Sequence, residues 1–377
     1  MTGRRIVLAG GGTGGHIEPM LAVADALREL DPAGSLTCIG TPRGIEVDLV
    51  PARGYDLQLI PPVPLPRKPT LDLVLVPGRL LKAARAARAI LRSTRAEALV
   101  GFGGYVSLPA YLAARRGSIP ILIHEQNAIP GLANRIAARF ADVVAVTFPG
   151  TPLPRAELVG MPLRPEIAHL DRASLRARAR AHFGLDPARP TLLVFGGSQG
   201  ARSLNTAVAG AVDELRAKDI QILHAVGPKN YAAMDLGPQQ DKDGHVAAVS
   251  DPVSDAAPYI VLPYLERMDL AYAAADLAMC RAGAVTCAEL SAVGLPAVFV
   301  PLPIGNGEQR RNAEPVVRAG GGLLVEDSSL TPAVVLGSVR DLLLDDLRLT
   351  SMASATTRFG RRDAALRMAE LTLSTAR

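Results

Sequence analysis

Tryptophan is absent from this chain of 377 residues, and aromatic residues make up only 4% of it. Proteins that bind single-stranded nucleic acid stack bases on exposed aromatic rings, so we expect no nucleic-acid partner. The three cysteines, Cys38, Cys280 and Cys287, have neither metal-ligand nor disulfide spacing, which predicts reduced thiols. No uninterrupted apolar run approaches the roughly 18–20 residues that cross a bilayer. The sequence therefore predicts a soluble or peripheral protein.

Hydrophobic residues are abundant, at 49% of the chain, and the length suffices for two domains of ordinary size. The formal charge is +5 and the pI is about 9.3. A mildly basic protein of this kind suits an anionic partner, such as a phosphorylated substrate or an anionic lipid surface.

The chain opens with a short apolar run, a cluster of glycines and a histidine. Ile6 to Ala9 predict a buried strand of a parallel sheet. The glycines that follow, up to Gly15, allow a sharp turn and close approach of a ligand. Amides at the start of the next helix attract negative charge, and His16 can exchange a proton near neutral pH. The stretch predicts an anion site beside a candidate base.

Strand and helix patterns alternate after this opening, which is typical of a doubly wound parallel sheet. A second glycine turn spans Gly101–Gly104, and the polar run from His124 to Asn127 follows another predicted strand. At Thr191–Phe195 the opening pattern recurs, with a glycine turn after it. The chain therefore reads as two similar α/β halves.

The first glycine turn formally matches a dinucleotide fingerprint through Gly10, Gly12 and Gly15. Such sites need an acidic residue at the tip of the second strand, and none is found where that predicted strand ends at Gly40. A P-loop is excluded because His16 stands where the lysine should be. The second half is better equipped for a nucleotide, since Glu289 lies one turn into a helix that starts at a glycine turn.

A basic stretch from Leu71 to Arg95 alternates leucines with arginines, and Pro77-Gly78 is expected to divide it into two helices. A basic amphipathic helix with exposed leucines can lie on an anionic membrane surface. An ordinary solvated surface helix explains the same pattern about equally well. The polar segment Met234–Pro258 predicts a surface loop.

Five motifs together resemble the MurG family, the UDP-N-acetylglucosamine–N-acetylmuramyl-(pentapeptide) pyrophosphoryl-undecaprenol N-acetylglucosamine transferases of peptidoglycan synthesis. They are Gly-Gly-Thr-Gly-Gly-His (11–16), Gly-Gly-Tyr-Val-Ser (103–107), His-Glu-Gln-Asn (124–127), Gly-Gly-Ser-Gln-Gly-Ala (196–201) and Ala-Gly-Ala-x-Thr-x-x-Glu (282–289). The resemblance covers nearly the whole chain. It implies the GT-B fold, with two Rossmann-like domains facing across a cleft. We expect domains at 1–163 and 164–340, with helices in 341–377 returning to the first.

The resemblance implies that the second domain binds UDP-GlcNAc. Glu289 would hold the ribose hydroxyls, and the backbone at Leu265 would meet the uracil. The diphosphate would be held by Arg164 and Ser198 with the amides of Ala284, Val285 and Thr286. The GlcNAc would contact Gln309 and, from the first domain, Thr13, Gly14, Gly15 and Asn127. The family has Gln where this chain has Glu308 beside Gln309, so no sugar contact is assigned to Glu308.

The acceptor implied by the resemblance is lipid I, which is undecaprenyl-pyrophosphoryl-MurNAc-pentapeptide. Its pyrophosphate would face Gly12, Gly14, Gly15, Gly103, Gly104 and Tyr105. The family approaches the membrane with an apolar patch ringed by basic residues, so we expect a peripheral protein on the cytoplasmic side of the cell membrane. The residues expected in this patch are Leu75, Leu80, Leu81, Lys82, Arg85 and Arg88. Proteins of a cell-wall or division complex are further candidate partners.

The implied reaction is an inverting transfer that needs a general base poised near neutral pH. His16 and Glu125 are both candidates, and the sequence does not choose between them. His124 is expected to be structural because it ends a strand that must pack. Neither a metal nor a cofactor is expected.

Three alternatives differ in class. Another GT-B glycosyltransferase would act on a different lipid or a secondary metabolite, which the motifs at 103–107 and 124–127 disfavour. A nucleotide-dependent oxidoreductase lacks its ribose acid at Gly40. A non-catalytic membrane adaptor would have no reason to retain Arg164, Ser198 and Glu289.

Overall fold

The computed structural model describes residues 3–63, 72–234 and 256–377, with residues 72–74 described by their backbone alone. The chain forms two compact units. The first comprises Met1–Pro165 with Arg361–Arg377, and the second comprises Glu166–Gly360. The expected boundary at 163/164 lies two residues before this division. Of the expected C-terminal tail, 361–377 belongs to the first unit, whereas 341–360 belongs to the second.

The first unit is built on a parallel sheet of seven strands in the order β3-β2-β1-β4-β5-β6-β7. Strand order reverses between β1 and β4, which is where parallel sheets of this type bind ligands. The strands are β1 (Arg5–Ala9), β2 (Ser35–Gly40), β3 (Asp56–Leu59), β4 (Ala98–Gly101), β5 (Ile121–Glu125), β6 (Val143–Val146) and β7 (Ala156–Leu158).

Both faces of this sheet are buried, as the continuous apolar strands require. On β1, Ile6 and Leu8 join one core cluster while Val7 and Ala9 join the other, because successive side chains of a strand point to opposite faces. The covering helices are α1 (Gly14–Leu30), α2 (Glu46–Ala52), α3 (Asp72–Ser93), α4 (Ser107–Arg116), α5 (Leu132–Ala137) and, from the end of the chain, α17 (Ala364–Thr375). Helix α17 packs on α1 through Met368 and Ala369.

The second unit has a parallel sheet of six strands in the order β10-β9-β8-β11-β12-β13. This is the arrangement of the first six strands of the first sheet, with the order reversing between β8 and β11. The strands are β8 (Thr191–Phe195), β9 (Gln221–Ala225), β10 (Tyr259–Leu262), β11 (Leu277–Cys280), β12 (Ala297–Phe299) and β13 (Gly322–Leu324).

The helices of the second unit cover its sheet and include a short 3₁₀ turn at Asp327–Ser329 and a π-helical segment at Leu336–Arg340. They are α6 (Pro165–Ala168), α7 (Arg172–His182), α8 (Arg202–Ala209), α9 (Val212–Arg216), α10 (Pro228–Ala232), α11 (Met268–Ala274), α12 (Ala284–Val293), α13 (Glu308–Arg318), α14 (Pro332–Val335), α15 (Asp341–Leu343) and α16 (Asp346–Thr357). Helix α16 packs on α12, which keeps residues 346–357 with the second unit.

One local prediction is wrong, one strand was not predicted, and one predicted loop lies mostly outside the described residues. Pro77 does not divide the basic stretch, because α3 runs unbroken from Asp72 to Ser93; proline removes one intrahelical bond, and the Ala- and Arg-rich sequence that follows is strongly helix-forming. The edge strand β7 was missed. Of the predicted Met234–Pro258 loop, 235–255 lies outside the described residues. No helix in the described ranges is long and apolar enough to span a bilayer.

Candidate active site

The first glycine turn lies at the carboxyl end of β1, with His16 in the first turn of α1. The imidazole Nδ1 lies 3.1 Å from the carbonyl oxygen of Gly11 and 3.1 Å from the Thr13 hydroxyl. Because a carbonyl can only accept, Nδ1 carries the proton in the neutral ring. The lone pair is then on Nε2, so Nε2 is the atom of His16 that can take up a proton.

His16 is held in its neutral form by its surroundings. Burial lowers its pKa below 6.5, and this effect outweighs the hydrogen bond to Gly11 and the charge of Glu46, which both raise the pKa. A neutral imidazole at neutral pH is the form that a general base requires.

The second glycine turn, at the end of β4, packs directly against the first. Gly103 and Gly104 have φ of 83° and 79°, in the region that favours glycine. A Cβ on Gly104 would lie 2.6 Å from the carbonyl oxygen of Gly11, and one on Gly103 would lie 3.5 Å from Nε2 of His16. The two turns and His16 therefore form one cluster. Tyr105, the next residue, is exposed.

The amides of Gly14 and Gly15 lie in the first turn of α1, where a helix leaves N–H groups without intrahelical partners. Gly12 is different, because its amide donates to the Glu46 carboxylate at 3.1 Å. Of the glycines expected to face the pyrophosphate, Gly12 therefore has its amide engaged by Glu46, whereas the amides of Gly14 and Gly15 suit an anion.

The same carboxylate corrects a second inference. The sequence showed no acid at the tip of β2, yet Glu46 on α2 returns to that tip and accepts from both the amide and the hydroxyl of Thr41, each at 2.9 Å. With Gly12 on its other oxygen, the carboxylate is occupied by protein donors. An acid is therefore present at the tip of β2, with its oxygens engaged by Gly12 and Thr41.

The His-Glu-Gln-Asn segment at the end of β5 belongs to a buried polar network. His124 is fully buried and donates from Nε2 to the carbonyl of Gly160 at 2.8 Å, and burial lowers its pKa to about 4. The expected structural role of His124 is confirmed by this environment. Gln126 donates to His124 from the other side of the ring.

Glu125 is 2% exposed, and its carboxylate is directed at protein donors. One oxygen accepts from the amide of Asn127 at 2.9 Å, and the other accepts from the amide of Gly131 and the side chain of Asn134, each at 3.0 Å. Burial raises the pKa of Glu125, and these hydrogen bonds oppose the rise. Engaged on both oxygens, the Glu125 carboxylate ties Asn127 and the loop around it to Gly131 and Asn134.

Asn134 completes this network and was missed by sequence reasoning. Its side chain accepts from the Tyr111 hydroxyl at 2.7 Å and donates to the carbonyl of His124 at 3.1 Å as well as to Glu125. It is 1% exposed. A polar residue one turn into a short helix gave no distinctive pattern, so only its contacts reveal it.

Arg164 lies at the end of the first unit, where its guanidinium is 3.9 Å from the carboxylate of Glu18 on α1. Arg53 lies 3.7 Å from the same carboxylate. Arg53 also donates to the Asp25 carboxylate, so the two arginines are accompanied by two carboxylates at this side of α1.

In the second unit, the strand-order reversal brings two loops together, one after β8 and one after β11. Ser198 is exposed in the first loop. The first helical bond of α12 runs from the Cys287 amide to Gly283 at 2.9 Å. The amides of Ala284, Val285 and Thr286 come before Cys287 and have no partner within the helix. They lie at the N-terminal end of α12, the end of a helix where anions bind.

Glu289 projects from the next turn of α12 and is 6% exposed. Its carboxylate accepts from the Tyr272 hydroxyl at 2.8 Å, and Tyr272 is fully buried on α11. Sequence reasoning singled out Glu289 but missed Tyr272, because a tyrosine in an apolar helix looks like an ordinary core residue. Leu265, in the preceding loop, is buried, whereas its neighbour Tyr264 is exposed.

Gln309 is partly committed to the protein. Its side-chain oxygen accepts from the amides of Leu302 and Ala282, at 2.9 and 3.2 Å. The NH₂ group of Gln309 is therefore the part of the side chain that would make the expected contact with the sugar. Arg281, which sequence reasoning also left without a role, braces the same loops through Asp327 at 2.6 Å and the carbonyl of Val300 at 3.1 Å.

The basic helix α3 exposes part of the expected membrane patch. Leu75 and Leu81 are 53% and 51% exposed, and Lys82 and Arg85 are exposed beside them. Leu80 is only partly exposed and packs on the core of the first unit. Arg88 is partly buried. Leu71 lies outside the described residues.

Comparison with known proteins agrees with this geometry. The glycosyltransferase family 28 N-terminal domain matches residues 6–146, and the C-terminal domain of that family matches 191–368. The UDP-N-acetylglucosamine–N-acetylmuramyl-(pentapeptide) pyrophosphoryl-undecaprenol N-acetylglucosamine transferase of Streptomyces avermitilis is 60% identical, over 95% of both chains. The enzyme of the same name from a Nocardioides species is 56% identical, over 98% of this chain and 97% of its own.

Solved structures give the same result. The crystal structure of Acinetobacter baumannii MurG superposes with a TM-score of 0.78 at 30% identity, covering 98% of this chain and 99% of that one. A kitacinnamycin glycosyltransferase superposes with a TM-score of 0.68 at 16% identity, which shows a shared fold. Both units are thus the Rossmann-like domains of the GT-B fold, and the chain belongs to glycosyltransferase family 28.

Proposed function

We propose that the protein transfers GlcNAc from UDP-GlcNAc to the 4-hydroxyl of the MurNAc-pentapeptide of lipid I, giving lipid II for peptidoglycan synthesis. It is then an N-acetylglucosaminyltransferase that inverts the anomeric centre. The observation that carries the proposal is His16, whose Nδ1 is bound to Gly11 and whose Nε2 lies beside Gly103 at the paired glycine turns. The relatives that share this chain's sequence over nearly its full length bear the name of that reaction.

The second unit would bind the donor. Glu289, oriented by Tyr272, accepts hydrogen bonds from the ribose hydroxyls, for which a carboxylate is well suited. The amides of Ala284, Val285 and Thr286, with Ser198, hold the diphosphate. The backbone at Leu265 meets the uracil, and the NH₂ group of Gln309 donates to a GlcNAc hydroxyl.

The first unit would bind the acceptor. The amides of Gly14 and Gly15 face its pyrophosphate, with Gly103, Gly104 and Tyr105 on the other turn. Arg164 contributes positive charge to the donor diphosphate, which must leave with the electrons of the broken bond. Thr13 and Asn127 contact the transferred sugar.

His16 would be the general base. Its Nε2 removes the proton from the 4-hydroxyl of MurNAc as that oxygen attacks the anomeric carbon and UDP departs. Glu125 was the other candidate, but both its oxygens accept from protein donors. We therefore assign Glu125 the task of holding Asn127 in place.

The direct test is to incubate the protein with radiolabelled UDP-GlcNAc and a lipid I analogue, measuring UDP release and the disaccharide product. Transfer to the analogue supports the proposal. Hydrolysis without transfer, or transfer only to unrelated acceptors, would point to another GT-B glycosyltransferase and refute it. His16→Ala should lower kcat by about 10²- to 10⁴-fold while leaving UDP-GlcNAc binding intact.

The exposed face of α3 would attach the protein to an anionic membrane on its cytoplasmic side. Replacing Leu75 and Leu81 with Ser should weaken sedimentation with vesicles that contain anionic lipid, and activity on a soluble acceptor should not change. Leu347→Ser is the matched control, because Leu347 is 87% exposed on α16 of the second unit. Equal vesicle binding by all three proteins would exclude α3 as the membrane contact.

A further inference from the structure

A buried carboxylate lies behind the first glycine turn. Glu46 is 0% exposed. One of its oxygens accepts from the Gly12 amide at 3.1 Å, and the other accepts from the amide and hydroxyl of Thr41 at 2.9 Å. A buried carboxylate with this many donors is a fixed element of the structure, and here it ties the end of β2 to the turn that precedes His16.

The space around this side chain exists because three neighbours are glycines. A Cβ on Gly11 would lie 2.8 Å from the Glu46 carboxylate, and one on Gly40 would lie 2.6 Å from its Cγ. A Cβ on Gly44 would overlap the carboxylate itself. Each of these glycines permits a close approach that a larger residue would block.

The hydrogen bonds of Glu46 and His16 meet on one peptide group. The carbonyl of Gly11 and the amide of Gly12 belong to the same planar unit. The amide end donates to Glu46, and the carbonyl end accepts from Nδ1 of His16 at 3.1 Å. The result is a continuous chain from carboxylate through peptide to imidazole.

We propose that Glu46 is a positioning residue that orients and activates His16 through the Gly11–Gly12 peptide; this deepens the proposed function, in which His16 is the base. Hydrogen bonds in a chain polarise one another, so a carboxylate on the amide end makes the carbonyl end a stronger acceptor. The carbonyl then holds the Nδ1–H tautomer and leaves Nε2 free. In serine proteases the carboxylate holds the histidine directly, whereas here a peptide group stands between them.

Glu46 is the charged residue that shifts the pKa of the His16 ring. Its charge raises the pKa of His16 against the effect of burial. Thr13 and Gly103, which also lie near the ring, carry no charge.

Two more carboxylates lie on the surrounding elements, and neither is among the causes that shift the pKa of His16. Glu18, on α1, lies 3.7 Å from Arg53 and 3.9 Å from Arg164. Glu125, on β5, accepts from amide donors on both oxygens.

The test is Glu46→Gln, measured by pH profiles of transfer. Glutamine has one acceptor oxygen, so it cannot serve both Gly12 and Thr41, and its charge is zero. We expect kcat to fall about 10- to 100-fold, as for the loss of one charge-assisted hydrogen bond, with KM for UDP-GlcNAc unchanged. The acid limb of kcat/KM should move to lower pH because His16 loses a neighbouring negative charge. An acid limb that stays in place would overturn the proposal.

Thr41→Val is the matched control. It removes one hydrogen bond from the same carboxylate but keeps the charge and the bond to Gly12. We expect some loss of thermal stability and no movement of the acid limb. If Thr41→Val moves the limb as much as Glu46→Gln does, the effect comes from packing and the proposal fails.

A measurement on the wild-type protein covers the case in which Glu46→Gln does not fold. In protein labelled with ¹⁵N-histidine, the His16 ring signals are assigned by their loss in His16→Gln. We expect the Nδ1–H tautomer, and the Nε2–H tautomer would refute the proposal. Absence of lipid I glycosylation by the wild type would refute the proposed function instead, and it would leave this tautomer readable.

Discussion

The hydroxyl of Tyr272 donates a hydrogen bond to the Glu289 carboxylate. Removing this hydroxyl is the most informative test of how Glu289 is held. Tyr272→Phe deletes one oxygen atom and leaves the ring in place, so packing against Phe195, with ring centroids 6.2 Å apart, is preserved. The hydrogen bond to Glu289 is 2.8 Å long, and both residues are almost completely buried. The substitution therefore removes the hydrogen bond from this hydroxyl to the carboxylate and keeps the aromatic ring.

The expected cost follows from that geometry. A hydrogen bond to a charged group contributes about 1.5–3 kcal/mol. In the free protein this should lower Tm by about 3–12 °C for a unit of this size. Glu289 also loses a contact that helps to fix its rotamer, so part of its ordering must take place during binding. We expect the Kd for UDP-GlcNAc to rise about tenfold, which corresponds to about 1.4 kcal/mol.

The assay combines calorimetric titration of UDP-GlcNAc with thermal unfolding. Tyr259→Phe is the control, since it deletes a hydroxyl 3.1 Å from Nδ1 of His224 in the same unit. Both variants should lose stability, but only Tyr272→Phe should lose affinity. If the two variants bind UDP-GlcNAc equally well, Glu289 does not depend on Tyr272 and the reasoning is wrong.

Three further predictions concern backbone geometry, pH and catalysis. In thermal unfolding, Gly104→Ala should destabilise the first unit by more than Gly150→Ala does. Both glycines have positive φ, but only at Gly104 would a Cβ meet a carbonyl oxygen, at 2.6 Å. Equal losses of stability would show that the two glycine turns are not tightly packed. Burial lowers the pKa of His124 to about 4, so between pH 6.5 and pH 4 the unfolded chain binds a proton that the folded chain does not. As the pH is lowered through this range, the free energy of unfolding should fall by about 1.4 kcal/mol per pH unit. In denaturant titrations, His124→Gln should reduce that slope. Transfer activity should be lost on acidification only below pH 6.5, because the pKa of His16 is lowered and its neutral form is the active one; a loss that begins above pH 7 would contradict this.

Much of the fold could be predicted from the pattern of apolar runs. The strand at Thr191–Phe195 has the predicted bounds and β2 ends at Gly40 as predicted, because buried parallel strands are short, continuous and apolar. The recurrence of strand, glycine turn and helix predicted two similar halves. The six strands of the second sheet have the same order as the first six strands of the first sheet. The edge strand β7 was missed because its residues are exposed and lack that pattern.

Only part of the chemistry of the site could be predicted from the sequence. Glycines followed by His16, and Glu289 one turn into a helix, are local patterns whose meaning is fixed by backbone geometry. Glu46, Asn134 and Tyr272 act through partners far away in sequence: the Tyr111–Asn134 bond joins residues 23 apart, and the Glu46–Gly12 bond joins residues 34 apart. No local pattern encodes such pairs.

The sequence by itself determined the class of protein, the two α/β halves and the loops where anions bind, because periodicity, glycine turns and helix starts are properties of neighbouring residues. Only the tertiary structure decided which groups in those loops are free to act. It placed the Glu46 carboxylate on the Gly12 amide and directed both oxygens of Glu125 at protein donors. A buried polar group must find a partner wherever the fold brings one, and Nε2 of His16 is the atom that we propose as the base.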